Sequence, residues 1–405
     1  MIARSWGSAV KFGLFYEISV PRPWDRESER TAYENNIEQI KLADELGFQT
    51  VWVVEHHFFE EFSHSSAPDL FLTAVARETS QIRLGHGIAV CVPEVNSAVR
   101  LAERAATLDL LSGGRLEFGT GRATSWLELA GFGANPDETK RSWDEFVRTI
   151  PKMWTNERFG YDGQYVKLPR RAVLPKPYQR PHPPLWVAAG SAGTEIDAAE
   201  RGLGALFLSF MGYERLAGRI AAYRERIAAC DTPAGAFINN KTTMVNFLYC
   251  HEDADHGVRL GKQVAARYGE GSGQAFGVSE IYPTPAYSSA GDIRAGLVNA
   301  AGNDRAAPSR DDHWTLRRAL ESEDAQPPPG LCAGDPEQII EALRGWEETG
   351  VDEVSFLLNA SEMIPHEDVM ESLRLFGREV MPCFETPETP RGSAAAVEAP
   401  VAGAR

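Results

Sequence analysis

A short apolar run in the N-terminal part of the chain ends abruptly in one carboxylate and two imidazoles. Residues 51–54 are all apolar, and Glu55, His56 and His57 follow them directly. In barrel enzymes the buried parallel strands are almost continuously apolar, and the catalytic groups come at their carboxyl ends. Because histidine titrates near neutral pH, two histidines beside a carboxylate suit proton transfer. We therefore predict that Glu55, His56 and His57 are catalytic.

Two plainer interpretations of these histidines compete with catalysis. A single histidine at a strand end is more often a hydrogen-bonded structural residue. A metal site is the other alternative, but neighbouring strand residues point to opposite faces, so His56 and His57 would not both reach one ion. The sequence holds no second cluster of ligand residues with suitable spacing, and we expect no metal.

The composition narrows the class of function. The chain has 405 residues, of which 43% are hydrophobic, and this is enough for one elaborated barrel. A formal charge of −16 argues against nucleic acid and anionic membranes as partners, so a small organic substrate is expected. The five cysteines form no CxxC pair, which argues against a zinc cluster. Without an evident signal peptide or bilayer-spanning run, we expect a cytoplasmic protein.

Strand and helix patterns alternate along the chain, which predicts a parallel sheet covered by helices. The predicted strands are residues 11–16, 51–57, 82–90, 115–119, 185–189, 205–209, 243–250 and 352–358. The predicted helices are residues 31–46, 68–76, 96–111, 137–154, 194–201, 213–229, 335–349 and 366–380. Eight such pairs predict an α/β fold, a (β/α)8 TIM barrel.

Three further stretches break this regular alternation. Residues 123–136 are predicted to be a loop insertion, and residues 269–334, before the last strand, a long mobile loop over the barrel mouth. The Ala-, Pro- and Glu-rich residues 385–405 are expected to be a disordered tail. The barrel would then form a single domain over residues 1–384.

A glycine-rich turn follows the fourth predicted strand. It consists of Gly119, Thr120, Gly121 and Arg122. Glycines let a planar ligand approach the backbone closely, and the arginine offers a cation to a phosphate or a carbonyl group. A tight turn that needs unusual backbone torsions is the plainer interpretation, and these four residues alone leave it open.

A second motif of small residues follows the fifth predicted strand. Its members are Gly190, Ser191, Ala192, Gly193 and Thr194. Backbone N–H groups at the start of a helix, together with Ser and Thr hydroxyls, form a ready anion site. A serine that caps a helix without any ligand is the alternative.

These stretches together resemble the bacterial luciferase-like family of flavin monooxygenases. The resemblance rests on the Glu-His-His-Phe ending at residues 55–58, on residues 99–119 with their Leu-Ser-Gly-Gly-Arg turn, and on residues 190–203. It covers residues 11–210 in the order that the family has. It implies that reduced FMN binds at the carboxyl-terminal mouth of the barrel.

The resemblance also implies roles for individual residues. The phosphate of FMN would bind to Ser191, Thr194, Arg122 and Arg141, and the ring would lie over Ile88, Ala89 and Gly121. The full set of cofactor-binding residues would be Ile88, Ala89, Thr120, Gly121, Arg122, Arg141, Gly190, Ser191, Ala192, Gly193, Thr194 and Ser209. A non-proline cis peptide bond is expected at Ile88–Ala89, to within one residue.

In the family, His56 would be the acid or base, and His57 and Glu55 would fix its tautomer and the local charge. Light-emitting luciferases have a cysteine where Gly121 stands and a tyrosine where Ser125 stands, so light emission is not expected. The smaller Gly121 predicts a different or larger substrate.

The implied function is that of a two-component monooxygenase. Reduced FMN from a separate flavin reductase would react with dioxygen to a flavin peroxide, which inserts one oxygen atom into the substrate. Since no G-x-G-x-x-G fingerprint follows a strand, we expect no NADH site. The resemblance further implies a homodimer. A deazaflavin-dependent oxidoreductase of the same superfamily and a non-catalytic flavin-binding protein stay open as alternatives.

Overall fold

Eight parallel strands close into a barrel. The computed structural model describes residues 9–123, 125–190, 193–208, 212–277 and 329–384. In chain order the strands are β1 (Lys11–Tyr16), β2 (Thr50–Val53), β3 (Arg83–His86), β4 (Ala89–Val90), β5 (Leu116–Gly121), β6 (Phe159–Asp162), β7 (Lys167–Arg171), β8 (Leu185–Ala188), β9 (Gly204–Leu208), β10 (Thr242–Cys250), β11 (Cys332–Gly334) and β12 (Glu353–Leu357). The barrel order is β1-β2-β3-β5-β8-β9-β10-β12, and β12 pairs with β1. The predicted (β/α)8 TIM barrel is confirmed.

Helices cover the outside of the barrel between successive strands. They are α1 (Ser28–Leu46), α2 (Pro68–Glu78), α3 (Ala98–Leu111), α4 (Trp126–Phe132), α5 (Thr139–Thr155), α6 (Thr194–Glu200), α7 (Tyr213–Ala228), α8 (Ala254–Gly277), α9 (Pro336–Glu348) and α10 (His366–Leu375). Among the described residues, no helix combines the length and the apolar character needed to cross a membrane. The β6–β7 hairpin is antiparallel and lies outside the barrel sheet.

Local sequence signals explain where several helices begin and end. Gly47, with φ of 89°, ends α1 in the left-handed conformation that glycine adopts easily. Asp335 and Gln338 form a reciprocal capping box at the start of α9. Both of these signals are readable in the sequence, and the predicted bounds of these two helices lie within three residues of those observed.

The centre of the barrel holds a hydrogen-bonded layer of tryptophans and glutamates. The indole of Trp52 donates to Glu353 at 3.0 Å, and the indole of Trp186 donates to Glu117 at 2.6 Å. The two indoles pack edge to face with ring centroids 5.1 Å apart. Gly85 faces this layer, and a Cβ atom there would overlap the Trp52 ring. This layer fixes the strand that leads to Glu55, His56 and His57.

Three predicted segments in the N-terminal third of the chain differ from the structure. The second strand ends at Val53, so Glu55, His56 and His57 lie in the loop that follows it. The strand predicted over residues 82–90 breaks at Gly87 and Ile88 into β3 and β4. The predicted loop at 123–136 contains α4. Apolar content alone does not mark such short breaks and short helices.

The long loop predicted over residues 269–334 is wrong at both of its ends. Residues 269–277 belong to α8, and β11 pairs with β10 at Leu248–Cys250. The glycines of α8 lower its helix propensity, but at Gly261 a Cβ atom would overlap Ala333 of β11, so close packing requires a small residue there. Residues 278–328 of the predicted loop and the predicted tail at 385–405 lie outside the described residues.

Candidate active site

The carboxyl ends of the barrel strands bring the predicted site residues to one edge. Of these, Glu55 follows β2, Arg122 follows β5 and Gly190 follows β8. Glu17, which was not predicted, follows β1 at the same edge. Because all of these strands are parallel, their carboxyl ends meet at one mouth of the barrel. The predicted catalytic and cofactor-binding motifs therefore share one face of the molecule.

His56 lies between two buried carboxylates. Its Nδ1 donates to Oε1 of Glu128 at 3.0 Å, and its Nε2 lies 3.6 Å from Oε2 of Glu17. The glutamates are 2% and 4% exposed, so water screens their charges only weakly. The loop that carries His56 is itself fixed, since the His56 N–H donates to the Ser65 carbonyl at 2.9 Å.

The two carboxylates keep His56 charged at neutral pH. Burial on its own lowers the pKa of the imidazole, but Glu128, Glu17 and Glu55 outweigh it and raise the pKa to about 9. Burial also raises the pKa of the Glu17 carboxyl, against the opposing effect of His56. His56 is therefore an imidazolium, and thus a proton donor, over the physiological pH range.

Glu128 reaches His56 because α4 starts immediately before it. Ser125 caps this helix, and its hydroxyl accepts the N–H of Leu127 at 3.1 Å. Glu128 is the third residue of the helix. In a capping box, the carboxylate at this position accepts the backbone N–H of the residue that caps the helix. Here Oε1 instead accepts the backbone N–H of His57 at 3.1 Å as well as Nδ1 of His56.

Glu55 and His57 were predicted to fix the tautomer of His56 and the local charge. The described contacts of the His56 ring nitrogens are with Glu128 and Glu17. Nε2 of His57 lies 3.5 Å from Glu55, and its ring packs against Phe132 with centroids 4.8 Å apart. Glu55 does contribute to the local charge, because it raises the pKa of His56.

Aromatic side chains line the other side of His56. The ring of Phe59 lies 5.1 Å from the imidazole, and the ring of Phe62 lies 6.2 Å away. Tyr268 of α8 packs on Phe62, and its hydroxyl donates to Oε1 of Glu17 at 3.1 Å. The wall is apolar except at the carboxylates, so a substrate placed here would be largely shielded from water.

The two cations predicted to hold a phosphate, Arg122 and Arg141, are both associated with the start of α5. The Nη1 of Arg122 donates to the Thr139 hydroxyl at 3.5 Å, at the start of α5. The next residue, Lys140, pairs with Asp197 at 2.8 Å. This ion pair joins α5 to α6, the helix that starts at Thr194. Arg141 is exposed and pairs with Glu138. Thr120 of β5 lies opposite Val187 of β8. Arg122 and Gly190, which follow these two strands, are therefore at a similar height along the barrel axis.

The loop after β8 is described in part. Gly190 faces open space, and Gly193 has a φ of 90° before α6. The carboxylate of Glu195 accepts the N–H of Gly193 at 3.0 Å and pairs with Arg219 at 2.6 Å. The predicted phosphate ligand Ser191, together with Ala192 and Ser209, lies outside the described residues.

The segment predicted to support a flavin ring lies beside the glycine-rich turn. β4 pairs with β5 such that Ala89 lies opposite Thr120 and Val90 opposite Gly121. Thr120 is buried, and its hydroxyl donates to the Trp186 carbonyl at 2.7 Å and accepts from Trp143 at 3.1 Å. The Thr120 hydroxyl therefore connects β8 to α5 inside the protein, whereas the backbone of Thr120 lies at the mouth of the barrel.

Two expectations for this segment are wrong. The cis peptide bonds in the described part of the chain all precede proline, so the bond at Ile88–Ala89 is trans, the form that non-proline residues favour by about 3 kcal/mol. Gly121 does not enlarge the pocket either. A Cβ atom there would lie 2.5 Å from Cγ1 of Ile88, so the side chain of Ile88 already fills the space.

Sequence reasoning missed Glu17, Glu128 and Tyr268. Glu17 directly follows an apolar strand, the same signal that singled out Glu55. Ser125 and Glu128 form the S-x-x-E pattern of a helix start, which would have revealed α4. No comparable signal marks Tyr268. Within the described ranges, no group of three or more His, Cys, Asp or Glu side chains has the geometry of a metal site.

Comparison with known protein families agrees with this geometry. A family model described as luciferase-like monooxygenase matches residues 10–353, which is most of the chain. The chain belongs to the luciferase-like monooxygenase family. The resemblance inferred from Glu55 to Phe58 and from the glycine motifs is confirmed.

Among the relatives of this luciferase-like chain, one matches over nearly its whole length. The oxygenase component of a flavin-dependent trigonelline monooxygenase from Acinetobacter baylyi is 25% identical over 388 residues, which cover 94% of this chain and 98% of that protein. An uncharacterized protein of Sinorhizobium fredii is 34% identical over 176 residues, 44% of this chain. That match spans only about half of the relative's length, 49%.

Solved structures show the same barrel. A monooxygenase from Streptomyces bottropensis has a TM-score of 0.71 and 25% identity, and the match covers 93% of this chain and all of that one. The oxygenating constituent of 3,6-diketocamphane monooxygenase from Pseudomonas putida, in complex with FMN, has a TM-score of 0.68 at 18% identity. A coenzyme F420 dependent tetrahydromethanopterin reductase from Methanopyrus kandleri has 0.64 at 20%. The last two likenesses concern the fold alone.

The charge of His56 predicts a pH-dependent stability. Its native pKa of about 9 exceeds the 6.5 of an unperturbed histidine, so its stabilising effect is complete below pH 6.5 and is lost as the pH rises through 9. A shift of this size corresponds to roughly 3 kcal/mol. Urea unfolding between pH 6 and 10 should show wild type losing stability over this range, whereas Glu128→Gln should start less stable and change less.

The matched control for this experiment is Glu60→Gln. Glu60 is an exposed glutamate whose carboxylate pairs with Arg22, so replacing this carboxylate should leave the pH profile of wild type unchanged. An identical pH profile in wild type and Glu128→Gln would show that Glu128 does not hold a proton on His56 in the folded protein.

Proposed function

We propose that this chain is the oxygenase component of a two-component, reduced-FMN-dependent monooxygenase that acts on a small organic substrate. The observation that carries the proposal is its end-to-end match to a protein named as the oxygenase component of a flavin-dependent monooxygenase. The S. bottropensis monooxygenase supports the same reaction class. A separate flavin reductase would supply the reduced cofactor, and the active form would be a homodimer.

The described residues fit FMN at the barrel mouth. Arg122 is half-buried and makes one long contact with Thr139, so its guanidinium is available to a phosphate group. A Cβ atom at Gly190 would meet no neighbour within 4 Å, which leaves open space after β8, and Thr194 adds a hydroxyl. The ring would lie on the segment of Ile88 and Ala89, beside Gly121. We propose Arg122, Arg141, Ser191 and Thr194 as the phosphate ligands.

The chemistry would be divided between cofactor and protein. Reduced FMN, when bound, would supply the electrons that activate dioxygen. His56 would supply the proton, since Glu128 and Glu17 hold its imidazole in the charged form. General acid catalysis of this kind contributes about 10²–10⁴-fold in rate. After each turnover the ring would take a proton from solvent, and the two carboxylates would stabilise the charged form.

The redox partner provides the first test. We expect the purified protein with FMN not to oxidise NADH, and we expect an unrelated flavin reductase to supply the reduced FMN that it binds. Anaerobic titration with photoreduced FMN should give tight binding, and coenzyme F420 should bind much more weakly. NADH oxidation by the chain alone would contradict the two-component proposal, and the reverse preference would favour a deazaflavin oxidoreductase. Binding without any effect on the reaction of reduced FMN with oxygen would indicate a non-catalytic carrier.

The phosphate ligands provide the second test. Arg122→Ala and Arg141→Ala should each remove a charge-assisted hydrogen bond and weaken binding of reduced FMN by roughly ten- to a hundredfold. Riboflavin, which lacks the phosphate, should bind the variants as it binds wild type. Arg148→Ala is the control, because Arg148 lies on the same helix two turns after Arg141 and likewise pairs with a carboxylate, that of Asp144. Equal losses for FMN and riboflavin would assign the arginines a structural role.

A further inference from the structure

We infer that Asn96 and Arg104 are positioning residues that hold Glu55 as a clamp on the backbone of Val90, and that this clamp fixes the segment on which the flavin ring would rest. The ring-binding part of this inference rests on the proposed function. The clamp itself is a property of the chain without any ligand.

The clamp engages both polar backbone groups of Val90. The Glu55 carboxylate accepts the Val90 N–H at 2.6 Å, and the Asn96 amide donates to the Val90 carbonyl at 3.0 Å. The same amide nitrogen donates to the second oxygen of Glu55 at 2.8 Å. Glu55, Val90 and Asn96 are all buried, so these bonds are not exchanged for bonds to water.

The break between β3 and β4 explains why a clamp is needed. Cys91 donates its N–H to Gly121 of β5 at 2.8 Å, and successive residues of an extended chain direct their N–H and C=O groups to opposite sides. The groups of Val90 therefore point away from β5, toward the side where β2 has already ended at Val53. Side chains of Glu55 and Asn96 take the place of that missing strand.

Arg104 determines which way the Asn96 amide faces. Its Nη2 donates to Oδ1 of Asn96 at 2.8 Å. Because a guanidinium has no acceptor, the atom of Asn96 that faces it must be the oxygen, and the NH2 group must then face Glu55 and Val90. Without Arg104 the amide could turn and present its oxygen to the Glu55 carboxylate, which would open the clamp.

An ion pair with α2 holds Arg104 in turn. Its Nε lies 2.9 Å from Asp69, and the other oxygen of Asp69 lies 3.4 Å from Nε2 of His86 on β3. Burial would raise the pKa of the Asp69 carboxyl, but His86 and Arg104 outweigh it and hold this pKa below its ordinary value. Contacts from Asp69 through Arg104 and Asn96 thus connect the helix layer to Glu55. Glu55 acts here as a positioning residue, not as a proton donor.

The test measures backbone protection and flavin binding in the same variants. Asn96→Ala should speed amide hydrogen exchange over residues 88–92 by about tenfold or more relative to β1, since the Val90 N–H loses the support of its acceptor. It should also weaken reduced FMN and reduced riboflavin equally, by about tenfold, and alter the absorption spectrum of the bound ring. A phosphate ligand would instead affect FMN alone.

Arg104→Met supplies a second variant that is less disruptive, because Arg104 is one-third exposed. It should change exchange and flavin binding in the same direction as Asn96→Ala. Arg100→Met is the matched control, since Arg100 lies one turn away on α3 and pairs with Glu103 at the surface; neither readout should change. If exchange over residues 88–92 is unchanged in both Asn96→Ala and Arg104→Met, the clamp is overturned. If wild type binds neither flavin, the proposed function fails, and the exchange data alone decide on the clamp.

Discussion

One buried proton on His56, held between the carboxylates of Glu17 and Glu128, is the interaction on which the barrel mouth depends. Removing charges from water is costly, and a buried ion pair is tolerated only when its partners and their remaining hydrogen bonds are in place. Here Glu128 also accepts the backbone N–H of His57, and Glu17 also accepts the hydroxyl of Tyr268. The loss of either carboxylate would leave the imidazolium with a single neighbouring counterion and weaken its hold on the proton.

Elements distant in the sequence supply this arrangement. Glu17 follows β1, His56 follows β2, and Glu128 comes from the short helix α4 after β5. The parallel barrel brings them together because its strands all end at the same mouth. The tryptophan layer around Trp52 fixes the strand below His56, and the clamp on Val90 fixes the neighbouring strand segment. Rigid backbone on both sides lets the site keep its geometry before any ligand arrives.

The fold and the location of the site could be predicted from the sequence, whereas the partners of His56 could not. Alternating strand and helix patterns led to the barrel, and ionisable residues directly after apolar runs led to its mouth. The approach of Glu128 to His56 joins residues 72 positions apart, and no local pattern encodes such a contact. The sequence also did not reveal that the space at Gly121 is filled by the side chain of Ile88, a residue from the break between β3 and β4.

The protonation state of His56 can be read directly from nitrogen NMR of protein labelled with ¹⁵N-histidine, with the His56→Gln variant used to assign the signal. The interaction with Glu17 and Glu128 predicts that both ring nitrogens of His56 carry protons at pH 7.5 and that the ring loses one of them near pH 9. In Glu128→Gln the titration should move to lower pH. A neutral His56 ring in wild type at pH 7.5, titrating near or below the ordinary histidine value of 6.5, would contradict the central role of the buried proton.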